Sequence, residues 1–208
     1  MIPVKVLAVR YLANAAPALL KALGAPKGYP ALAMLTTDCD DATYIALDAA
    51  TKAADVKVCY GRSFYAGAAN ASTPNAGEVI GILAGVTPGA VRSGMEAALG
   101  ALQQVGFEMA SDVPYLAYTV SRSGSFLAKE AGVEEGTPLA YLIAPPLESM
   151  YAMDEALKAA DVKLCKLYTP PSETNFGGGL LSGTQSACEA ACAAFASAVA
   201  QVAQKPRE

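Results

Sequence analysis

The hydrophobic and polar positions along the chain predict short strands alternating with helices, twice over in the same order. In the first half the predicted elements are Val4–Val9, Pro17–Leu23, Ala31–Thr36, Ala42–Ala54, Val56–Tyr60, Val79–Ala84 and Pro88–Val105. In the second half they are Tyr115–Val120, Phe126–Ala131, Leu139–Ala144, Met150–Ala160, Val162–Tyr168, Leu180–Ser182 and Gln185–Gln204. Gly24 and Gly132 follow the short helices and are typical C-cap glycines. The alternation predicts an α/β fold with helices packed against a sheet.

The second half of the chain also repeats the residues of the first. KAADVKVC at Lys52–Cys59 returns 106 positions later as KAADVKLC at Lys158–Cys165, with seven of eight residues identical. Three further pairs of segments match in the same order: LLKALGAPKG at 19–28 with LAKEAGVEEG at 127–136, Leu32–Leu35 with Leu139–Leu142, and Ile82–Gly85 with Leu180–Gly183. A period of about 105 residues is too long for a solenoid. The repeat therefore predicts two complete domains, 1–104 and 105–208, with no linker between them.

Composition and charge narrow the classes of function. Hydrophobic residues make up 53% of the 208 residues and charged residues only 16%, with the excess in alanine and glycine. A lightly charged surface is typical of a protein that associates with copies of itself. The net charge of -4 and the lack of a lysine or arginine block exclude nucleic acid as a partner. No uncharged apolar run reaches the roughly 18 residues of a membrane span, so no membrane partner is predicted.

The cysteines and the lack of histidine predict a protein with reduced thiols and no catalytic activity. The five cysteines are odd in number and widely spaced, and Arg10 interrupts the only N-terminal apolar stretch, so we expect free thiols in the cytoplasm. The chain has no histidine, the commonest general base and zinc ligand. Cys188 and Cys192 share a helix face without a third ligand, and Cys59 and Cys165 occupy matching strand positions. We therefore expect core cysteines, no metal and no enzyme activity.

Five segments are long and specific enough to indicate a family. They are DCDDATYIALDAATKAADVKVCYGRSFYAGA (38–68), AGEVIGILAG (76–85), VSRSGSFL (120–127), AYLIAPPLE (140–148) and PPSETNF (170–176). The chain resembles bacterial microcompartment shell proteins with tandem, circularly permuted domains, of the ethanolamine-utilisation type. The resemblance implies ferredoxin-like domains with helices on a mixed or antiparallel sheet, and a pseudohexameric homotrimer that tiles with neighbouring shell proteins in the cytoplasm. It implies no required cofactor and admits cobalamin binding as a variant.

One acidic stretch distinguishes the two copies. Copy one has three aspartates between residues 38 and 41, where copy two has Pro145–Glu148. One interpretation is capping of the following helix. The other is that Asp40, with Glu78, lines a narrow channel and holds a small cation such as the ammonium group of ethanolamine. The resemblance associates these positions, and the main chain near Phe107, with small pores for a small amine or alcohol. The predicted small-pore residues are Asp40, Asp41, Glu78 and Phe107.

Two loop segments, Arg62–Pro74 and Pro170–Gly179, are rich in small and polar residues and long for such connections. They are either ordinary surface loops or, as the resemblance implies, the closure of a large pore at the trimer centre. Gly177–Gly179 would free the backbone torsions of the second segment, and Phe64, Tyr65 and Phe176 would plug the closed pore. The predicted central-pore residues are Arg62, Phe64, Tyr65, Asn70, Glu173, Thr174, Asn175 and Phe176.

Three functions remain open at this point. The first is a structural pore protein of a microcompartment shell, which the resemblance favours. The second is an oligomer that binds or senses a small ligand such as ethanolamine or cobalamin. The third is a catalytic subunit that borrows residues from a partner.

Overall fold

The computed structural model describes residues 1–63, 75, 77–170, 172 and 174–207, and the chain packs as two compact units. The first unit comprises Pro3–Gly106 and Gly124–Leu127. The second comprises Met1–Ile2, Phe107–Ser123 and Ala128–Glu208. These units are defined by packing, whereas the copies 1–104 and 105–208 are defined by the repeat and stay a prediction.

The first unit is a four-stranded sheet with helices on both faces. Its elements are β1 (Val6–Leu12), α1 (Pro17–Ala22), β2 (Ala31–Thr37), α2 (Asp40–Ala53), β3 (Val56–Ser63), β4 (Val79–Gly85) and α3 (Pro88–Leu102). The strands lie in the order β1-β2-β4-β3, and each pairing is antiparallel. Leu20 and Leu23 near the end of α1 pack against Leu32 and Ile82 on one face. Helices α2 and α3 pack on the opposite face, where Leu47 contacts Gly81.

The second unit repeats this arrangement. Its elements are β5 (Glu108–Ala110), β6 (Val113–Val120), α4 (Ser125–Ala131), β7 (Leu139–Ala144), α5 (Pro146–Ala159), β8 (Val162–Tyr168), β9 (Gly177–Gly183) and α6 (Gln185–Gln204). The first three residues of α4 are counted with the first unit. The strands lie in the order β5-β6-β7-β9-β8, again antiparallel. Phe195 of α6 and Met153 of α5 pack against Leu142 and Leu181 in the core.

The two sheets share one topology, because β1-β2-β4-β3 corresponds to β6-β7-β9-β8 with β5 added at one edge. Even the irregularities match: β3 shifts register between Val58 and Tyr60, and β8 shifts between Leu164 and Lys166. The skipped residues are Cys59 and Cys165, the last residues of the repeated octapeptide. A β-bulge fixes a bend and strengthens twist, so the repeat in sequence encodes the same bent strand twice. The predicted fold class is confirmed.

Several predicted boundaries were wrong. Helix α5 begins at Pro146, not Met150, because proline suits the first turn of a helix. Gly177–Gly179 were predicted in a loop but form the first three residues of β9, paired with β7 and β8. A Cβ built on Gly178 would lie 1.9 Å from the carbonyl oxygen of Leu142, so this strand requires glycine for close backbone approach. The short strand β5 was not predicted.

Helix α6 is long and apolar enough, by length and composition alone, to cross a membrane. It includes Glu189, so it is not an uncharged run. Its buried residues instead face the core of the second unit, which accounts for its apolar side; they are Cys188, Ala191, Cys192, Phe195, Ala198 and Val199.

Candidate functional site

The turn between β2 and α2 is built around the hydroxyl groups of Thr37 and Thr43. These oxygens lie 2.7 Å apart, and both hydroxyls lie within hydrogen-bond distance of the carbonyl oxygen of Cys39, at 2.9 and 2.8 Å. The Cys39 amide donates to Thr37 Oγ1 at 3.2 Å. Because both threonines are fully buried, these bonds fix where the chain leaves β2 and where α2 begins.

Asp40 and Asp41 are the first two residues of α2, each only 8% exposed. Asp40 Oδ1 accepts a hydrogen bond from the Asp41 amide at 2.9 Å. The sequence placed both aspartates before a helix starting at Ala42, whereas they lie inside its first turn and the N-cap is Cys39. Carboxylates in a first turn are favoured by the helix dipole. Asp40 thus accepts one first-turn N–H from within the helix, while the N-cap residue itself makes no side-chain cap hydrogen bond.

Glu78 is brought to the same turn by the residue before it. Gly77 has a φ of 68°, and a Cβ there would lie 2.3 Å from the carbonyl oxygen of Thr37. The Glu78 amide donates to that oxygen at 2.8 Å. A residue with a side chain could not take this backbone conformation so close to β2, so Gly77 positions Glu78 at the start of β4, beside the start of α2.

The Cys39 thiol lies near all three acidic residues. Its pKa is raised well above the ordinary value, first by burial and then by the negative charge of Asp41, with Asp40 and Glu78 adding to the effect. A thiol with a raised pKa stays protonated and is a poor nucleophile. We call Asp40, Asp41 and Glu78 the carboxylate cluster. It can attract a cation and accept hydrogen bonds from an ammonium group.

Phe107, the fourth predicted small-pore residue, lies in the second unit, so the structure does not relate it to the carboxylate cluster. Its ring packs against Phe176, with ring centroids 5.6 Å apart, and its carbonyl oxygen accepts a hydrogen bond from the Ile2 amide at 2.6 Å. Phe176 was predicted at the central pore. Two aromatic residues that the sequence assigned to different pores are therefore neighbours.

The other predicted central-pore residues are only partly within the described chain. Arg62 is exposed near the end of β3. Asn175 is exposed, and Thr174 Oγ1 accepts from the Phe176 amide at 3.3 Å just before β9. Phe64, Tyr65, Asn70 and Glu173 lie outside the described residues.

Asp48 was missed by sequence reasoning, although it is the most buried carboxylate that the structure describes, at 0% exposed. Its Oδ2 accepts from the Gly124 amide at 2.8 Å and pairs with Lys52 at 3.1 Å, while its Oδ1 accepts from the Leu127 amide at 2.8 Å. The signal was present in the sequence, because Asp48 and Lys52 recur as Asp154 and Lys158 at the 106-residue shift.

Cys188 and Cys192 are buried in the core, as predicted. Cys59 and Cys165 are only half-buried at the strand bulges, although Cys59 packs against the core cluster that contains Leu32 and Ile82. Within the described part of the chain, no three cysteine, aspartate or glutamate side chains are placed to hold a metal ion.

Comparison with known proteins identifies the family. The model of the BMC domain matches residues 31–115, from the first residue of β2 into β6. The bacterial microcompartment shell protein EutL of Clostridium perfringens is 57% identical over 205 residues, covering 97% of this chain and 94% of that protein.

Solved structures agree with this match. The crystal structure of ethanolamine utilization protein EutL from Leptotrichia buccalis has a TM-score of 0.97 and 56% identity, covering 100% of this chain and 97% of that chain. A trimeric bacterial microcompartment shell protein, PduB, shares the fold with a TM-score of 0.77 at 19% identity, covering 96% and 89%. The chain therefore belongs to the EutL family of bacterial microcompartment shell proteins.

Proposed function

We propose that the chain forms a pseudohexameric homotrimer that tiles with neighbouring shell proteins and carries pores for small metabolites. Membership in the EutL family makes it a structural protein of a microcompartment shell, located in that shell in the cytoplasm. The observation that carries the trimer is the shared topology of the two sheets. Three copies of a chain with two like units supply six like positions, and closed rings are common among homo-oligomers.

The purified chain tests this proposal directly. Sedimentation equilibrium should give three times the chain mass of 21.2 kDa, and negative-stain electron microscopy should show flat discs or extended sheets. A single-chain mass at all accessible concentrations, or compact particles that never associate edge to edge, would contradict the shell function.

The carboxylate cluster is the proposed contact for a small ammonium-bearing permeant. Asp40 and Asp41 are nearly buried and, like Glu78, lie near enough to the Cys39 thiol to raise its pKa, so a cation near the start of α2 would be attracted by their negative charge. Each carboxylate oxygen accepts N–H donors, as an ammonium group requires. The cluster belongs to copy one alone, since Asp40 and Asp41 correspond to Pro146 and Leu147 in copy two. Folding of this architecture therefore does not require them. Ethanolamine is the permeant that we infer from the solved relative, an ethanolamine utilization protein.

Calorimetry tests this assignment. Asp40→Asn with Glu78→Gln keeps the size of both side chains and removes two charges, so affinity for ethanolamine should fall at least tenfold. The matched control is Asp55→Asn with Glu96→Gln, which removes two charges from exposed positions and should leave affinity within about twofold, since exposed charges are screened. Equal affinity in the two double variants would refute the small-pore assignment.

The proposal gives the chain no catalytic step and no required cofactor. The chain has no histidine. The pKa of the Cys39 thiol is raised, so this thiol stays protonated and is a poor nucleophile. The central-pore assignment of Arg62, Thr174, Asn175 and Phe176 stays a prediction, as does cobalamin binding.

A further inference from the structure

A joint in the first unit shows how α2 binds the start of a short helix. Asp48 accepts the amides of Gly124 and Leu127, and Thr51 Oγ1 accepts the amide of Ser125 at 3.1 Å. The Leu127 side chain is 1% exposed. The space beside Gly124 is full, since a Cβ there would lie 2.3 Å from Thr51 Oγ1. Polar and apolar contacts thus hold residues 124–127 against α2.

Because the sequence repeats, the residues on both sides of this joint have counterparts elsewhere in the chain. At the shift of 106, Asp48 corresponds to Asp154 on α5; at the shift of 108, Leu127 corresponds to Leu19 on α1. The backbone confirms the second pairing. The φ of Gly24 is 69° and that of Gly132 is 66°, and both short helices end with the same hydrogen bonds.

The corresponding residues are uncovered in the single chain. Leu19 is 41% exposed and the Asp154 side chain 59% exposed, whereas their counterparts are buried. On the same side of α5, Leu147 is 63% and Tyr151 44% exposed. Their counterparts on α2, Asp41 and Ile45, are 8% and 5% exposed.

The start of α1 likewise lacks the side-chain acceptor that Asp48 provides at the start of α4. Its N-cap residue, Ala16, makes no side-chain hydrogen bond to the helix. None of the α1 residues is buried. In α4 the corresponding amides are accepted by Asp48. Asp154 on α5 is the counterpart of the acceptor Asp48, and residues 16–19 at the start of α1 are the counterparts of residues 124–127.

We propose that α5 of one chain binds residues 16–19 of a second copy, repeating between chains the joint that α2 makes with residues 124–127. This inference rests on the proposed trimer and names its interface. Asp154 accepts the first-turn amides of the neighbour's α1, and the neighbour's Leu19 covers apolar surface at Leu147 and Tyr151. The contact is head-to-tail, so each chain repeats it, and in the proposed trimer three such contacts close the ring.

The joint between chains is wider than its counterpart. Ala16 replaces Gly124 and adds a methyl group, and Leu157 replaces Thr51 and removes a hydroxyl acceptor. The neighbour's α1 is therefore held less closely to α5, with more apolar contact and fewer polar bonds.

Cysteine cross-linking tests the joint on the full chain. Ala16 and Leu157 are the counterparts of Gly124 and Thr51, and a Cβ built on Gly124 would lie 2.3 Å from Thr51 Oγ1. Cysteines at Ala16 and Leu157 should therefore lie close enough to form a disulfide. With copper phenanthroline as oxidant, Ala16→Cys/Leu157→Cys should give a covalent three-chain product. A mixture of the two single variants should stop at two chains. The control Ala16→Cys/Glu155→Cys places the second thiol on another side of α5 and should give neither product.

A second measurement does not depend on cysteine chemistry. Asp154→Asn should raise the dissociation constant of the trimer about tenfold, because a carboxylate acceptor for buried amides is lost. Glu155→Gln is the matched control, since Glu155 also pairs with Lys158, at 3.7 Å, and it should leave the trimer unchanged. A stable trimer that neither cross-links through 16 and 157 nor weakens with Asp154→Asn would overturn the joint while the proposed function stands. A wild-type chain that never associates would overturn both.

Discussion

At the scale of single residues, Asp48 shows how a buried charge is retained in a core. Removing a carboxylate from water is costly unless its hydrogen-bonding capacity is used. Asp48 uses both oxygens, on the amides of Gly124 and Leu127 and on Lys52. Those two amides lie at the start of α4, where a helix cannot satisfy its own N–H groups. The cost of burying Asp48 is therefore offset by satisfying two donors that would otherwise be unpaired.

We expect Asp48→Ala to lower the free energy of unfolding by about 3 kcal/mol, because two charge-assisted hydrogen bonds are lost and their donors stay buried. Urea unfolding followed by circular dichroism measures this difference. Asp55→Ala is the control: Asp55 is exposed and accepts one bond, from the Tyr29 hydroxyl at 2.9 Å, so its loss should cost no more than about 1 kcal/mol. Equal effects of the two substitutions would contradict the role given to Asp48.

At the scale of elements, β9 shows why a run of glycines need not be a loop. Gly177, Gly178 and Gly179 are buried and paired with β7, and Gly178 and Gly179 are also paired with β8. The Leu142 carbonyl approaches Gly178, and the Lys166 carbonyl would lie 2.3 Å from a Cβ on Gly179. The glycines make close backbone packing available, and composition alone cannot distinguish this use from flexibility.

Gly178→Ala should destabilise the chain by about 3 kcal/mol or more, because Gly178 has a φ of 146° and no room for a methyl group. Thermal and urea unfolding report the change. Gly100→Ala is the matched control, since Gly100 is exposed in α3 with nothing within 4 Å of its Cβ position. That substitution should stabilise the helix by roughly 0.5–1 kcal/mol. A neutral Gly178→Ala would mean that the flexible-loop interpretation of this segment was right.

At the scale of the whole molecule, two copies of one topology have diverged at the start of the helix that follows their second long strand. Copy one has the carboxylate cluster at the start of α2, where copy two has Pro146 and Leu147 at the start of α5. The shared core explains why each copy folds, and the differing residues are where ligand and neighbour recognition can evolve separately.

The sequence by itself predicted the order of the elements apart from β5, the internal repeat and the family. These features depend on local hydrophobic pattern and on long matched segments, both of which are readable along the chain. The predicted strand Leu139–Ala144 and helix Gln185–Gln204 match the structure to the residue, because their apolar patterns are long and their ends carry clear turn residues.

Only the tertiary structure decided which residues meet. It brought Glu78 to the start of α2, placed Phe107 against Phe176, paired Asp48 with the amides of Gly124 and Leu127, and left Leu19 and Asp154 uncovered. Each depends on positions distant along the chain whose distance in space is set by strand pairing and helix packing. The local sequence pattern contains no information about such contacts. The joints and the candidate site therefore form only when the sheets are assembled.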